Sequence, residues 1–459
     1  MMEFSRRAVL RAMRGTIGTL ALCKITGAER QRQHSLSSDM HKNAAETLID
    51  YFSRIAPDLL RPENGYLKHP SLSPSLPGNA YSTDLWDWDT LWTARGLFRL
   101  AELKLDSALK AKLCTHAVGS LENFLDHQSP EGRIPILISA QHEDLFNSLS
   151  TEKPNPHNQA KPVMAQIALL VADKSHEVDW LACRFDQILR FHNSWRDGNG
   201  TPLGLMVWGN DVAIGMDNDP TTFGRPPFSS ANIMLNCLFY QELRACAELA
   251  LRLKRTSDHD RIQLQAEALG AAIQKYCWDR RDAFYYTADV MCVDQRSKWL
   301  PGIGQGMAMS WRSLPMRIQT VAGFLPLWCG LASAQQANEL VERNYRRDDR
   351  FRAAFGVRTL SSFEPMYSLT AHSGNPSNWL GPIWIITNYL TWKALKNYGF
   401  EAEAAELADK TVTLLANDLE TSGTLNEYYQ PDTGEPISHR GFVDWNMLVL
   451  EMISTHSGK

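Results

Sequence analysis

Two short stretches of the chain contain acidic residues that could catalyse a reaction. The first stretch reads WGNDVAIGMDNDP and covers residues 208–220. Its acids are Asp211, Asp217 and Asp219. The second, TLNEYYQPDTGEP, covers residues 424–436 and contains Glu427. Glycoside hydrolysis needs two carboxyl groups, one protonated to release the leaving oxygen and one ionised to activate water or attack the sugar.

Tryptophans accompany polar residues in two further stretches, YSTDLWDWDTLW at 81–92 and NPSNWLGPIWIITNYL at 375–390. Indole faces stack on the C–H faces of sugar rings, and carboxylates bind sugar hydroxyls. These stretches therefore favour a carbohydrate ligand, provided that the fold brings them together.

Each of these residues also has a simpler explanation. DNDP is good turn chemistry, so Asp217 could cap a helix or a turn. Glu427 could be an ordinary loop acid, and Lys161 a surface lysine. We expect Asp211 and Asp219 to be solvated or to support the site from behind. The tryptophans expected in the core are Trp86, Trp92 and Trp445.

The composition is that of a globular protein, since 44% of the 459 residues are hydrophobic and 21% are charged. The net charge of −4 is unevenly distributed, because residues 1–34 hold seven Lys/Arg and two Asp/Glu. The rest of the chain is acidic without a basic stripe, so we expect no nucleic-acid partner. We also expect no membrane span. The oligomeric state is left open.

Residues 1–34 resemble a twin-arginine export signal followed by a flexible segment. SRRAVLRAM has paired arginines and precedes the apolar GTIGTLALC. We therefore expect a periplasmic or secreted protein in which residues 35–459 form a single domain. A basic tail on a cytoplasmic protein is the alternative.

Cysteine and histidine spacing favours neither a disulfide framework nor a metal site. The eight cysteines form no CxxC pair and the thirteen histidines form no HxxxH pair. We interpret the cysteines as mostly buried thiols and expect no metal and no cofactor. The GxSxG motif of serine nucleophiles is absent from the sequence.

Apolar residues recur at helical spacing along most of the chain, which predicts an all-α fold. The predicted helices are 44–56, 86–104, 106–127, 160–173, 176–195, 229–254, 257–277, 316–329, 333–344, 380–398, 401–418 and 441–455. Short links join many of them into antiparallel hairpins, and long loops separate the hairpins. Six hairpins closed into a ring would gather the long loops, and with them the four stretches above, at one end.

Several stretches resemble glycoside hydrolase family 63 and its relatives, which include bacterial mannosylglycerate and glucosylglycerate hydrolases and, more distantly, trehalase. GMDNDP is similar to the general-acid motif GMDNSP, and NEYYQPDTGEP to the ExYxPxTG motif of the general base. DLWDWDTLWTARGL, NQAKPVMAQ and GFVDWNMLVL are similar to further segments around the family's site. The matches keep the family's order over residues 81–450.

The resemblance implies an (α/α)6 barrel and an inverting hydrolase of a small α-glucoside or α-mannoside. Asp217 would be its general acid and Glu427 its general base. It also implies substrate-binding roles for Trp88, Asp89, Lys161, Asn218, Trp379, Gly381 and Trp384. The partner would be a small saccharide or glycoside.

Two departures from the family pattern affect the substrate. Asp219 stands where the family usually has Ser, and Leu380 where it usually has Arg. Loss of a guanidinium fork argues against a charged leaving group such as glycerate, so an α-linked disaccharide is equally consistent.

Two rival hypotheses remain. A catalytically inactive sugar-binding protein would not need both Asp217 and Glu427. An epimerase or lyase on the same scaffold would need a catalytic His or Tyr, and the motif loops offer no central His.

Overall fold

The computed structural model of the chain describes residues 43–150, 157–291, 312–372 and 374–453. The predicted export signal, residues 1–34, lies outside the described residues. From Ala44 onward the chain belongs to one compact unit. Among the described residues, no helix has the length and apolar character needed to cross a membrane.

The described part of the chain is mainly helical, as the sequence predicts. The helices are α1 (43–55), α2 (Asp87–Leu103), α3 (Ser107–Asp126), α4 (Met164–Ser175), α5 (Phe185–Asn199), α6 (Ile233–Arg252), α7 (Thr256–Tyr276), α8 (Leu325–Trp328), α9 (Ala334–Leu340), α10 (Ile385–Asn397), α11 (Glu401–Ser422) and α12 (Val449–Ile453). Side chains fix several of their starts, because Asp106 caps α3 and Asn232 caps α6 by accepting from backbone N–H groups. Gly423, with φ of 70°, ends α11.

The even-numbered helices form a closed inner ring. Each packs on the next, from α2 through α4, α6, α8 and α10 to α12, and α12 packs against α2. The inner helices α2 and α10 are buried nearly all round, as expected for helices surrounded by protein. Outer helices α3, α7 and α11 cover α2, α6 and α10. This is the (α/α)6 barrel that the resemblance implies.

Several predicted helices begin later than the periodicity indicates, and two of them show why. Residues 316–320 form no helix, because Val321 N donates to the Thr359 carbonyl and Thr320 bridges to Leu360. His176, with φ of 62°, ends α4, so the predicted helix 176–195 begins only at Phe185. Tertiary hydrogen bonds and a left-handed residue therefore override the local pattern.

Short antiparallel strands shape the loops at the N-terminal ends of the inner helices. They are β1 (Leu60–Arg61), β2 (Ser71–Leu72), β3 (Asp84–Trp86), β4 (Leu137–Ser139), β5 (Ser230–Ala231), β6 (Trp278–Asp279), β7 (Phe284–Tyr285), β8 (Ala288–Asp289), β9 (Leu314–Pro315), β10 (Tyr428–Tyr429) and β11 (Pro436–Ser438). The pairs are β1 with β2, β3 with β4, β6 with β7 and β10 with β11, while β8 lies between β5 and β9. In β3, Trp86 pairs with Leu137 directly before α2 begins. The strands thus fix where the loop residues enter the ring.

Candidate active site

A cavity of about 370 Å³, here called the main cavity, opens where the loops before the inner helices meet. Residues from all four acid- and tryptophan-rich stretches line it, which confirms their predicted convergence. The predicted site residues that line it are Trp88, Asp89, Lys161, Asp217, Trp384 and Glu427. Its volume lies within the range of small-ligand sites in proteins.

Asp217 lies on a loop that packs closely against Lys161 and Trp88. Gly215, with φ of 75°, leaves no room for a side chain, since a Cβ there would lie 2.5 Å from the Lys161 side chain. The Asp217 carboxylate accepts a 3.0 Å hydrogen bond from Asn375 and another from the Ser377 hydroxyl. Trp379 Nε1 donates to Ser377 Oγ at 3.0 Å, which leaves the hydroxyl proton for Asp217.

The two residues that follow Asp217 are structural. Asn218 donates to Asn378 at 3.0 Å and accepts from Trp379 N at 2.7 Å, so it joins the acid's loop to the 375–384 loop. Asp219 is buried, accepts from Thr221 and accepts a 2.9 Å bond from Asn232, the cap of α6. Asp219 therefore supports the site from behind, which is one of the two positions expected for it.

Glu427 precedes β10 and is held on both sides. Its N–H donates to the Ser438 carbonyl at 2.9 Å, and its carbonyl accepts from Trp445 Nε1 at 3.3 Å. Its side chain is only 6% exposed, and its carboxylate is hydrogen-bonded to His439 Nδ1. Trp445, expected in the core, is buried but also lines the main cavity. Trp86, also expected in the core, is only half-buried and lines the main cavity too. Trp92 is in the core, as expected.

Both acids hold their protons more tightly than usual. Burial raises the pKa of Asp217 against hydrogen bonds from Ser377 and Asn375 that lower it. Burial also raises the pKa of Glu427, where His439 opposes the shift and the negative charge of Asp217 adds to it. The pKa of His439 is raised by its hydrogen bond to Glu427. The protonation state of each carboxyl group therefore depends on its neighbours as well as on burial.

A buried ion pair lies under the main cavity. Asp87 is fully buried and accepts from the backbone N–H of Lys161 at 2.6 Å and from its Nζ at 3.1 Å. Lys161 Nζ also lies 5.1 Å from the ring centre of Trp88. Lys161 is thus a buried lysine just before α4, and the surface-lysine alternative is wrong. Its side chain fixes the Trp88 ring that faces the cavity.

Asp89 lines the main cavity and contacts a second buried acid, Asp444. Thr93 Oγ1 donates to Asp444 Oδ1 at 2.7 Å, and the side chain of Asp444 is hydrogen-bonded to Asp89. Two carboxyl groups can share such a bond only through a proton on one of them. Burial and the neighbouring carboxylate raise the pKa of Asp444 well above its usual range. Asp87, Asp89, Lys161 and Asp444 are here called the floor.

Stacked aromatic rings lie beside the main cavity. Trp384 stacks on Trp379 with ring centres 3.9 Å apart and on Tyr428 at 4.6 Å. Only Trp384 of the first pair lines the main cavity; Trp379 lies behind it, against Trp88. Gly381 also lies off the main cavity, where its φ of 148° and the ring of Tyr367, 2.5 Å from a hypothetical Cβ, exclude a side chain. Asn218, Trp379 and Gly381 therefore support the site without lining this cavity.

Sequence reasoning missed four residues around the two acids. Tyr81 lines the main cavity, and its ring centre lies 5.2 Å from that of His439. Asn375 and Ser377 contact Asp217. The four stretches contain no histidine, but His439, three residues after the last of them, contacts Glu427. The signal lay in HisArgGly, shortly after the ExYxPxTG match, and in the AsnProSer that opens the 375–390 stretch. Among the described residues, no group of His, Cys, Asp and Glu is arranged to hold a metal ion.

Comparison with known proteins gives matches over most of the chain. Residues 84–444 match the family described as "Mannosylglycerate hydrolase MGH1-like glycoside hydrolase domain". A mannosylglycerate hydrolase of Thermus thermophilus is 26% identical over 229 residues, which is 50% of this chain and 46% of that protein. The chain is thus aligned with less than half the length of this curated relative.

Solved structures agree in fold. A GH63 mannosylglycerate hydrolase from Thermus thermophilus, in complex with glucose, superposes with a TM-score of 0.63 at 21% identity. That match covers 88% of this chain and 99% of the other. Neutral trehalase from Saccharomyces cerevisiae superposes with a TM-score of 0.56 at 15% identity, over 84% of this chain and 74% of that one. At sequence identities of 21% and 15%, these two matches show a shared fold.

Proposed function

We propose, from the premise that this chain belongs to the mannosylglycerate hydrolase MGH1-like glycoside hydrolase family, that it hydrolyses a small α-glucoside or α-mannoside with inversion. The observation that carries the proposal is that Asp217 and Glu427, on two different loops, line the same cavity. The glucose bound to the Thermus relative supports a hexose as the sugar. The leaving group is glycerate-like or a second sugar.

The surroundings of the two carboxyl groups support Asp217 as the acid and Glu427 as the base. Asp217 is hydrogen-bonded to neutral donors and has a raised pKa, which favours the protonated form that an acid needs. Glu427 is hydrogen-bonded to His439, whose imidazolium form favours the carboxylate that a base needs.

In this reaction the Glu427 carboxylate removes a proton from a water molecule as its oxygen attacks the anomeric carbon. The bond to the leaving oxygen breaks, and that oxygen takes the proton of Asp217. Inverting enzymes keep their two carboxyl groups about 6.5–9.5 Å apart so that the water fits between sugar and base. Trp88 and Trp384 line the cavity that would hold the sugar, Trp384 by its ring edge because Trp379 and Tyr428 stack on its faces, and Asp89 offers a carboxylate to the sugar hydroxyls.

The test is hydrolysis of a panel by the chain lacking residues 1–34. The panel holds glucosylglycerate, mannosylglycerate, trehalose, kojibiose, nigerose, maltose and α-mannobiose, and the anomer released first is identified by NMR. We expect one α-glycoside to release the β-anomer. Asp217→Asn and Glu427→Gln should each lower kcat at least 10²–10⁴-fold, roughly the usual contribution of general acid–base catalysis. Release of the α-anomer, or full activity in either variant, would contradict the assignment.

Glycosyl fluorides separate the two roles, because fluoride leaves without being protonated. On the matching α-glycosyl fluoride, Asp217→Asn should keep a large part of the wild-type rate. Glu427→Gln should remain inactive, because water must still be activated. The reverse pattern would exchange the two roles.

Tyr81 and His439 favour the epimerase or lyase hypothesis as the second candidate, since both side chains lie at the main cavity or beside Glu427. Products distinguish it from hydrolysis. In H2¹⁸O a hydrolase places ¹⁸O on the anomeric carbon of the released sugar. An epimerase returns a product of unchanged mass, and a lyase returns an unsaturated one.

We also propose that residues 35–459 are the catalytic domain and that residues 1–34 direct export to the periplasm. The paired arginines support the export proposal. Replacing Arg6 and Arg7 with Lys should leave the full-length protein in the cytoplasmic fraction of a bacterial host.

A further inference from the structure

A second cavity of about 540 Å³, here called the side cavity, adjoins the main cavity. Phe223 lines both cavities, so the two share a wall. Asn218, the residue directly after Asp217, also lines the side cavity, whereas Glu427 lines only the main one. The side cavity therefore opens beside the proposed acid and away from the proposed base.

Most of the side cavity's lining is apolar. These lining residues are Pro220, Phe223, Pro365, Met366, Tyr367 and Leu380. Its polar lining consists of Asn218, Ser368 and His372, and among the described residues no Lys, Arg, Asp or Glu lines it. His372 Nε2 and Ser368 Oγ are 2.9 Å apart, so these two groups bond to each other. The lining offers apolar contact and no fixed charge.

Apolar side chains also stay in contact with solvent around both openings. Phe223 is 47% exposed and Met366 43% at the side cavity, and Val212 is 43% and Phe146 38% exposed at the main cavity. These four residues are here called the rim. Exposed apolar residues beside a cavity favour a surface that binds something apolar.

The cation behind the side cavity is already neutralised. Arg358 contacts Tyr367 from behind, but its guanidinium pairs with Asp432 at 2.7 Å and donates to the Arg352 carbonyl. An anion in the side cavity would lose its hydration without gaining a fixed counter-charge, which is costly.

We propose that the side cavity receives the leaving group and selects an uncharged group with an apolar face over an anionic group such as a carboxylate. This inference rests on the proposed function, because an acid protonates the leaving oxygen and the leaving group must lie on the acid's side. The sugar occupies the main cavity, its glycosidic oxygen faces Asp217, and the leaving group contacts Phe223 and Met366.

The test compares three α-glycosides of one sugar, glucose and mannose being tried in turn. They are the methyl, benzyl and 4-carboxybenzyl glycosides, assayed at about pH 8, where imidazole side chains are ordinarily neutral. Hydrolysis cleaves the same glycosidic bond in the two benzyl compounds, which differ only in one remote charge. We expect kcat/KM to be about tenfold higher for benzyl than for methyl, and at least fivefold lower for 4-carboxybenzyl than for benzyl. Equal or inverted values would overturn the inference.

Variants locate the effect in the side cavity. Met366→Ala should reduce the benzyl-to-methyl ratio severalfold. Leu264→Ala, which removes a similar side chain that is 66% exposed on outer helix α7, should leave the ratio unchanged. Leu380→Arg should raise the 4-carboxybenzyl value relative to benzyl, because it adds a cation to the lining. A ratio unaffected by Met366→Ala would place the preference elsewhere.

Binding separates failure of this inference from failure of the proposed function. The same three glycosides are titrated into Asp217→Asn by calorimetry. If the wild type hydrolyses neither these glycosides nor any member of the panel above, the proposed function fails, while tighter binding of benzyl than of methyl and 4-carboxybenzyl would still support apolar selection by the side cavity. If the wild type hydrolyses all three at equal kcat/KM, or if benzyl binding is undetectable, the inference fails by itself.

Discussion

The floor of the main cavity differs from the rim in polarity, burial and connectivity. The floor consists of ionisable side chains with little or no exposure, bonded to one another or to backbone. The rim consists of apolar side chains that stay in contact with solvent. A sugar carries hydroxyl groups that need polar partners at fixed positions, whereas a leaving group with an apolar face needs only contact. One site can therefore be specific for the sugar and still accept different leaving groups.

Breaking the ion pair of the floor should have the largest effect on stability. Lys161→Met leaves the buried Asp87 carboxylate without its cation, and removing one partner of a buried pair typically costs about 3–5 kcal/mol. Chemical denaturation would measure the change in free energy of unfolding. Lys174→Met, which breaks the half-buried pair with Glu102, should cost at most about 1 kcal/mol.

The double variant Asp87→Asn/Lys161→Met tests the cause of that loss. It removes the uncompensated charge, so it should recover part of the stability that Lys161→Met loses. If the double variant is as unstable as the sum of both single changes, the loss comes from packing around Trp88 rather than from the charge.

The sequence predicts the helices of the barrel better than it predicts the floor. It predicts helices α3 and α7 within one residue at each end, because short links and a regular apolar face define them locally. Lys161, in contrast, cannot be assigned to surface or interior from the sequence. Its partner Asp87 lies 74 positions earlier in the chain, and only the closed ring brings the two together.

The tryptophans show the same limit. Their types and spacing indicate a ring-lined site, yet Trp379 lies behind Trp384 and Trp445 faces the main cavity. Which ring of a stacked pair faces a cavity depends on the loop backbone, here on Gly381 and on Ser377, which accepts from Trp379 Nε1. Neither contact leaves a periodic pattern in the sequence.

The proton shared by Asp89 and Asp444 should give the floor a pH-dependent stability of intermediate size. An Asp in an unfolded chain has a pKa of about 3.9, and the pKa of Asp444 in the folded protein is higher. Its stabilising contribution is therefore complete below about pH 4 and is lost as the pH rises through the folded pKa. Asp444→Asn keeps a donor for Asp89 and an acceptor for Thr93 but cannot ionise. The wild type should thus lose stability relative to this variant between about pH 5 and pH 8.

Urea denaturation of both proteins at about pH 5 and about pH 8 measures that difference, which reports on the Asp89–Asp444 pair because the titrating groups away from this pair are common to both proteins. Asp349→Asn is the control, because Arg347 lowers the pKa of this exposed carboxyl. Asp349 is ionised in the folded and unfolded chains throughout this range, so its variant should track the wild type. A pH-independent difference for Asp444→Asn would show that no proton is shared in the floor.

Changes at the rim should have the smallest effect, and on binding rather than folding. Val212→Ser replaces two exposed methyl groups, so the free energy of unfolding should stay within about 0.5 kcal/mol of the wild type. The apolar contact with bound substrate that this change removes contributes roughly 1 kcal/mol to binding. Its loss corresponds to a KM about fivefold higher. The value of kcat should not change, because the contact is the same in the ground state and the transition state. If Val212→Ser instead lowered kcat or destabilised the fold as Lys161→Met does, the rim would be as rigid a part of the site as the floor, and the distinction between them would fail.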